Sequence, residues 1–594
     1  MPIIVDAVRI SGFRGIQDLK MSLARVAVLI GPNNCGKTSV LKAMQLALGD
    51  YGRHLSDEDF HIDGDSKRST EIVVDVRIVA INSEGQPEEI FSREWTNELG
   101  DHIQTDLKGR QFFAFRTIAK PQETRTGFLI ERHTLREWVK DEEWLSVEIT
   151  PSQKFSARSE FIPFVSIDAQ RDIHSELNQR SSFVGKVLSR VKYDAADVEV
   201  LEKMIADINR EAVSKSSALE SLKDHLKAMN ESFGGKGYAE VTPFPKKLRD
   251  LSKNFSVYFG DTAASSFSME YHGMGTRSWA SMLAVKAFAD LMQSVHAKEA
   301  EPYHPIIAAE EPEAHLHPNA QRALFSQLSN SSGQVIVSTH SPYLAAMCSL
   351  PDLRSLSVRE GYTQCYRLSK KLSDAELKSL QREIMRNKGE VLFAKALILF
   401  EGQTEEQVVP VLFEQWFQAT AFSKGVTLSA ANGRNYGPFL KLGLSLGIPV
   451  AIVSDNDTSG GISKRVLVDK QISKVKSEHE LDFPEEQFFL DYLSEPNDFE
   501  AEIIKSCGLR DEVIAAFVEK ARTINPDPSY TEKKRKELEA SSDDRLIESM
   551  RGEKATNSSF LADKIAQNAQ RKSREALVPQ AFQNAFSKVE EWLT

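Results

Sequence analysis

Residues Gly31-Pro32-Asn33-Asn34-Cys35-Gly36-Lys37-Thr38 of this chain carry the spacing of a loop that wraps a phosphate. Glycines let the backbone curl with its N–H groups inward, Lys37 adds a point charge, and the Thr38 hydroxyl can hold Mg²⁺. Gly31, Asn33, Asn34, Gly36, Lys37, Thr38 and Ser39 are therefore candidate ATP-binding residues, with Thr38 also a metal ligand. Far downstream, the apolar run from Pro305 to Ala309 ends in Glu310 and Glu311. A strand ending there projects Glu310 toward the nucleotide's Mg²⁺ and Glu311, as general base, toward an attacking water. A second apolar run, Val335-Ile336-Val337-Ser338-Thr339, leads to His340, which either orients around the γ-phosphate or is a satisfied core histidine.

A separate acidic set follows. Glu401 ends the run Ala396-Leu397-Ile398-Leu399-Phe400, Gly402 permits a tight turn, and Glu405 lies where a helix start aims it at the same pocket. Asp455 and Asp457, two apart at the end of a further apolar run, point to one side with Asn456 opposite. Carboxylate oxygens are the hard ligands that Mg²⁺ (or Mn²⁺) prefers, and a pair of such ions stabilises the attacking and leaving oxygens of a phosphodiester. Each piece alone is also what solvated strand ends look like.

These residues need elements to hold them. Val26–Ile30, the glycine loop and an Ala/Leu/Met-rich stretch from Lys37 read as strand, loop and helix. Alternation over residues 70–150 predicts an antiparallel sheet joined to the first strands. A polar, helix-favouring region follows Ile173, its heptads too irregular for a long coiled coil. From residue 393, apolar runs alternating with helical stretches predict parallel βαβ units. The fold class is α/β, in four expected units: 1–170 and 241–392 as two lobes of an ATPase head, 171–240 as a helical insertion that could serve dimerisation, and 393–594 as a second α/β domain.

At 594 residues with 41% hydrophobic and 27% charged, the chain is long enough for several cores. A net charge of −11 gives no global attraction for nucleic acid, so DNA contact would rest on local basic surfaces; the run Lys533–Lys536 is one, though it reads more readily as a solvated helix face. Four scattered cysteines match no zinc spacing, no run reaches the ~18 apolar residues of a membrane span, and a cytoplasmic protein without disulfides is expected.

The first motif set resembles the ABC-type ATPases of the RecF and SMC kind over roughly residues 1–370. Gly12-Phe13-Arg14-Gly15 matches their N-terminal motif, and Ala314-His315-Leu316-His317-Pro318 their D-loop. The resemblance implies that Arg14 contacts nucleotide and that Gln170 is the Q-loop residue. It also implies that Gly275 and Ser278, in a signature loop, complete the ATP site of a second copy. Glu310 stands where the family has Asp. The acidic set is similar to the Toprim domain. An ABC head followed by Toprim is the arrangement of the overcoming-lysogenization-defect (OLD) nuclease family, which includes the nuclease subunit of the Gabija antiphage system. That resemblance implies ATP-controlled DNA cleavage with two metals, a homodimer or larger homo-oligomer, and a partner subunit such as a helicase. It nominates Asp498 and Glu500, after Leu493-Ser494-Glu495, as further metal ligands. It also calls for a basic residue late in the chain, for which Lys554 is chosen over Lys564. Two other readings stay open: a topoisomerase-like strand breaker using Tyr436 or Tyr492, and an SMC-like DNA-tethering ATPase without cleavage.

Overall fold

The structure is a computed structural model. It describes residues 2–593 apart from 83–84, 123–126, 150–152, 155–160, 169–181, 190–193, 233–242, 245–257, 260–266, 360, 369–371, 385–388, 432, 434, 460–461, 479–483 and 569–571. Gln170 lies outside the described residues.

Three sheets organise the chain. Strands β1 (Ile3–Phe13), β2 (Ile16–Ser22), β4 (Ile72–Ala80), β5 (Ile103–Thr105), β6 (Gln111–Pro121) and β7 (Phe128–Thr134) form an antiparallel sheet, as the alternation predicts. The second sheet is mixed. It contains β3 (Val26–Ile30), β8 (Phe164–Ile167), β9 (Ile306–Glu310), β10 (Gln334–Ser338), β11 (Leu353–Arg359) and β12 (Tyr362–Arg367), in the order β12-β11-β3-β10-β9-β8, with only β11–β12 antiparallel. The third sheet, β13 (Ala396–Phe400), β14 (Val426–Ala430), β15 (Val450–Ser454) and β16 (Phe488–Tyr492), is parallel in the order β14-β13-β15-β16.

The helices that matter are α1 (Lys37–Leu48), α2 (Ala195–Ser214), α3 (Ser217–Ser232), α4 (Met274–Lys298), α5 (Asp374–Glu383), α6 (Gln403–Phe417), α7 (Tyr436–Ser445), α8 (Lys464–Glu478), α9 (Phe499–Lys505) and α10 (Lys554–Asn568). The chain is an α/β protein, with a mixed-sheet ATPase head followed by a parallel-sheet domain.

Strand β3 is buried at every residue, because a parallel sheet is covered on both faces. Its alternate residues enter different cores. Ala27 and Leu29 join α1 and the antiparallel sheet. Val26, Val28 and Ile30 join a cluster that runs on to Leu397, Leu399, Val450 and Ile452 of the third sheet. The other face of that sheet, including Ile398, Phe400 and Val453, packs on the C-terminal helices. The head and the C-terminal domain thus share one apolar core, whose burial from water is the main force fixing their contact.

Candidate functional site

At the end of β3 the loop closes on Gly36, which caps α1, and Lys37 is 5% exposed. Its Nζ donates to the carbonyls of Gly31 (2.9 Å) and Pro32 (2.8 Å). Burial lowers the Lys37 pKa, opposed by Cys35, Glu311 and Glu310. Two strands away, β9 ends at Glu310, and the Thr38 hydroxyl donates to Glu310 Oε1. The two groups that would share a nucleotide's Mg²⁺ therefore touch. Glu311 follows with φ +44°, its Oε1 3.5 Å from His340 Nε2. His340 is held neutral by burial and by Lys37, against Glu311.

Glu313, not singled out from sequence as a site residue, fixes this corner. Its Oε1 accepts from the Thr339 hydroxyl (2.5 Å) and the His340 N–H (3.0 Å), while Oε2 is buried without a hydrogen-bond partner among the described residues. Asn33 and Asn34 are exposed at the loop tip, and Ser39 sits in the first turn of α1. Arg14 is committed to Asp59 (2.8 Å) and to the Tyr51 hydroxyl (2.6 Å). Gly275, in the first turn of α4, lies so close to the D-loop that a Cβ would sit 2.4 Å from the His315 carbonyl oxygen. Ser278 is 2% exposed in the single chain. Close intrachain packing by itself accounts for the glycine.

The acidic set converges at the C-terminal end of the third sheet, the edge where open parallel sheets place ligands. Glu401 leaves β13 and Asp455 leaves the adjacent β15. With Asp457 they surround one ammonium, Lys464 Nζ, at 3.1, 3.0 and 2.7 Å respectively. Nothing in the sequence signals Lys464, which begins α8 after a small hairpin pairing Thr458 with Ser463.

Beside this trio, Glu405 is 5% exposed and its Oε1 accepts from the Gly402 N–H at 3.1 Å. Glu500 is 1% exposed and takes the Thr404 hydroxyl (2.6 Å) and Lys554 Nζ (2.9 Å). Asp498 caps α9 through the Ala501 N–H (3.0 Å) and pairs with Arg551 (2.7 Å). Lys554 thus reaches the site, whereas Lys564 pairs with Glu519 (3.5 Å). Arg551, Thr404 and Lys464 are the members that sequence reasoning missed.

Burial first, then repulsion from Glu405 and Glu401, raises the Asp455 carboxyl above its ordinary range against the pull of Lys464. Burial likewise raises Glu405, with Glu500 adding repulsion against the Gly402 N–H and Lys554. Among the described residues six carboxylates face three cations, and Glu401 Oε2 is buried without a hydrogen-bond partner there. An all-oxygen donor set fits divalent cations of the Mg²⁺ or Mn²⁺ type.

The nucleotide loop beside Glu310 and the carboxylate cluster on a parallel sheet define an ATPase head joined to a TOPRIM domain. The AAA ATPase domain family matches residues 4–345, more than half the chain. The overcoming lysogenization defect protein-like TOPRIM domain matches residues 392–457. The chain belongs to the AAA ATPase domain family, and its ATPase head followed by an overcoming-lysogenization-defect-like TOPRIM domain is the arrangement of that nuclease family.

Among its relatives, the OLD nuclease of Thermus scotoductus is 24% identical over 76% of this chain and 81% of its own length. The Old nuclease of Escherichia phage P2 is 23% identical over 77% and 78%. Similar solved structures include an SMC head bound to a winged-helix domain of ScpA, at 13% identity over 63% of this chain and 99% of that one, TM-score 0.33. Another is the C-terminal region of the Xanthomonas campestris OLD protein, at 19% identity over 34% of this chain and 97% of that one, TM-score 0.24.

Proposed function

We propose that the protein is an ATP-regulated, divalent-metal-dependent DNA endonuclease, acting in the cytoplasm in antiphage defence or DNA processing. The observation that carries this reading is the convergence of Glu401, Asp455 and Asp457 on a single cation position. In it, Glu401, Asp455 and Asp457 would hold one Mg²⁺ or Mn²⁺, and Glu405, Asp498 and Glu500 a second. Two such ions supply an activated water and charge stabilisation of an in-line phosphodiester displacement. Lys554 adds a cation next to Glu500, where negative charge grows during cleavage. Tyr436 supports hydrolysis over a tyrosine-linked mechanism, because burial raises its pKa and keeps the proton on. Tyr492 donates to Asp469 instead (2.6 Å). The tethering alternative wants a long coiled coil, and among the described residues of this region α2 and α3 have 20 and 16 residues.

Supercoiled plasmid incubated with Mg²⁺ or Mn²⁺, with and without ATP, tests the proposal. We expect metal-dependent nicking that changes with ATP. A protein that leaves plasmid intact with every metal returns the reading to a tethering ATPase.

The raised acids make a pH prediction. Asp455 and Glu405 ionise higher in the folded chain than unfolded, so the metal-free protein loses stability as pH rises from the ordinary carboxylate range through the raised values. Metal binds the ionised forms and expels protons. Mn²⁺ should therefore raise Tm more at about pH 8 than at about pH 6, read by calorimetry. An equal shift at both would show that these acids are already ionised.

ATP control needs a contact between the halves. Arg359 on β11 donates to the Gly447 carbonyl (2.6 Å) and to Gln487 (3.2 Å). Gly447 has φ +71°, and a Cβ there would meet the Tyr366 ring at 2.7 Å. Gly447→Val should cost about 2 kcal/mol and weaken the ATP response of nicking while ATP turnover persists. Unchanged ATP response, measured on plasmid, would exclude this contact as the route. The same reading places ATP between two copies, since Asn33, Asn34 and Tyr271 are exposed around the nucleotide loop and the start of α4. A homodimer or larger homo-oligomer, with a partner subunit such as a helicase, completes the proposal. No helix among the described residues is long and apolar enough to cross a membrane.

A further inference from the structure

Three carboxylates from one site gather on Lys464, and that lysine has no evident part in cleavage. Its ammonium is almost out of solvent, with the side chain 11% exposed. A buried ammonium is costly unless paired, and this one has three partners within 3.1 Å.

The chain also anchors it locally. The Lys464 N–H donates to the Asp457 carbonyl at 3.0 Å, and the pairing of Thr458 with Ser463 and of Ser459 with Ile462 returns the backbone to the acidic turn. Lys464 is the first residue of α8, whose N-terminal N–H groups add positive potential on the same side. Only the flexible four-carbon stem separates this fixed backbone from the ammonium.

We propose that Lys464 is a resident counter-cation of the metal site. It holds Glu401, Asp455 and Asp457 converged without metal, and a divalent ion must displace it to bind. This inference rests on the metal-site reading above and adds regulation to it: the lysine sets the free-metal concentration at which the site loads. An ammonium and a divalent ion cannot share three carboxylate oxygens at ion-pair distance without repulsion, so the two compete. Other acids of the site have their own resident cations, Arg551 on Asp498 and Lys554 on Glu500. Lys464 differs in sitting at the centre of the carboxylates rather than on one of them.

The test is calorimetric titration of the full chain, stripped with chelator, with Mn²⁺ alone and no DNA or nucleotide. Asp455→Ala supplies the blank for other Mn²⁺ sites. Lys464→Met keeps the stem and removes the charge. It should bind Mn²⁺ at least about tenfold more tightly than the wild-type chain. It should also melt lower than wild type without metal and recover in saturating Mn²⁺. Lys464→Arg retains the charge and should not show the tightened binding. Should Lys464→Met fail to fold without metal, purification in Mn²⁺ followed by competition with a graded chelator gives the same comparison. Equal Mn²⁺ affinity in wild type and Lys464→Met overturns the counter-cation role and leaves the metal site standing. Equal tightening in the Arg variant also overturns it, by showing that charge is not the cause. No specific Mn²⁺ binding in any of them overturns both.

Discussion

Asp455→Ala should abolish plasmid nicking, by about a thousandfold or more, while ATP binding and turnover in the head stay near wild type. Asp455 leaves β15 at the centre of the cluster and faces Lys464 Nζ at 3.0 Å, with Glu405 and Glu401 as its charged neighbours. If the carboxylates hold the metals, removing this one takes an oxygen ligand from the ion and alters the balance around the rest. A loss of several kcal/mol of transition-state stabilisation corresponds to the stated factor. The variant should fold, because alanine after β15 removes a buried carboxyl repelled by Glu405 and Glu401 and leaves Ile452 and Val453 in their cores. Nicking that survives in purified Asp455→Ala would remove the assigned centre, whatever the metal. Retained ATP turnover in the same preparation separates loss of the site from loss of the fold.

Nucleotide binding should fall at least about a hundredfold in Lys37→Ala, read by titration with a fluorescent ATP analogue. The ammonium lies inside the loop, on the carbonyls of Gly31 and Pro32. Glu311→Gln should instead bind ATP normally and hydrolyse it about a hundredfold more slowly, the usual scale of a general base. The amide preserves the shape of the side chain next to His340 but cannot take a proton. Turnover at the wild-type rate would eliminate Glu311 as base and move attention to Glu310, already engaged with Thr38. Nicking measured on both variants then reports which nucleotide state the C-terminal half obeys, because one is locked without ATP and the other holds it.

Much of this site was legible because its parts are local. Loop glycines, Lys37 and Thr38 stand at fixed spacing, and the acids Glu401, Asp455 and Asp457 end apolar runs whose strand character is a matter of composition. The resemblance to the OLD family brought Asp498, Glu500 and Lys554 into view, and the structure sets Lys554 on Glu500. What eluded sequence reasoning depends on encounters between distant elements. Glu313 looks like one more acid in a run until Thr339 and the His340 N–H are seen on its oxygen. Arg551 finds Asp498 from 53 residues away, and Thr404 finds Glu500 from 96. Gly275 reads as part of a signature loop, and only packing shows that the His315 carbonyl leaves no room for a Cβ.

By itself, then, the sequence determined the two candidate constellations and the kinds of element that carry them. Hydrophobic period, glycine placement and the hardness of carboxylate oxygens are properties of short segments and survive without the fold. Tertiary structure decided which cation each acid meets and how the two halves join. The apolar core running from β3 to β13 and β15, and the position of the Lys464 ammonium among three carboxylates, arise only when separate segments compete for the same space. Charge and burial at a point are sums over everything packed around it, and no linear spacing encodes that sum.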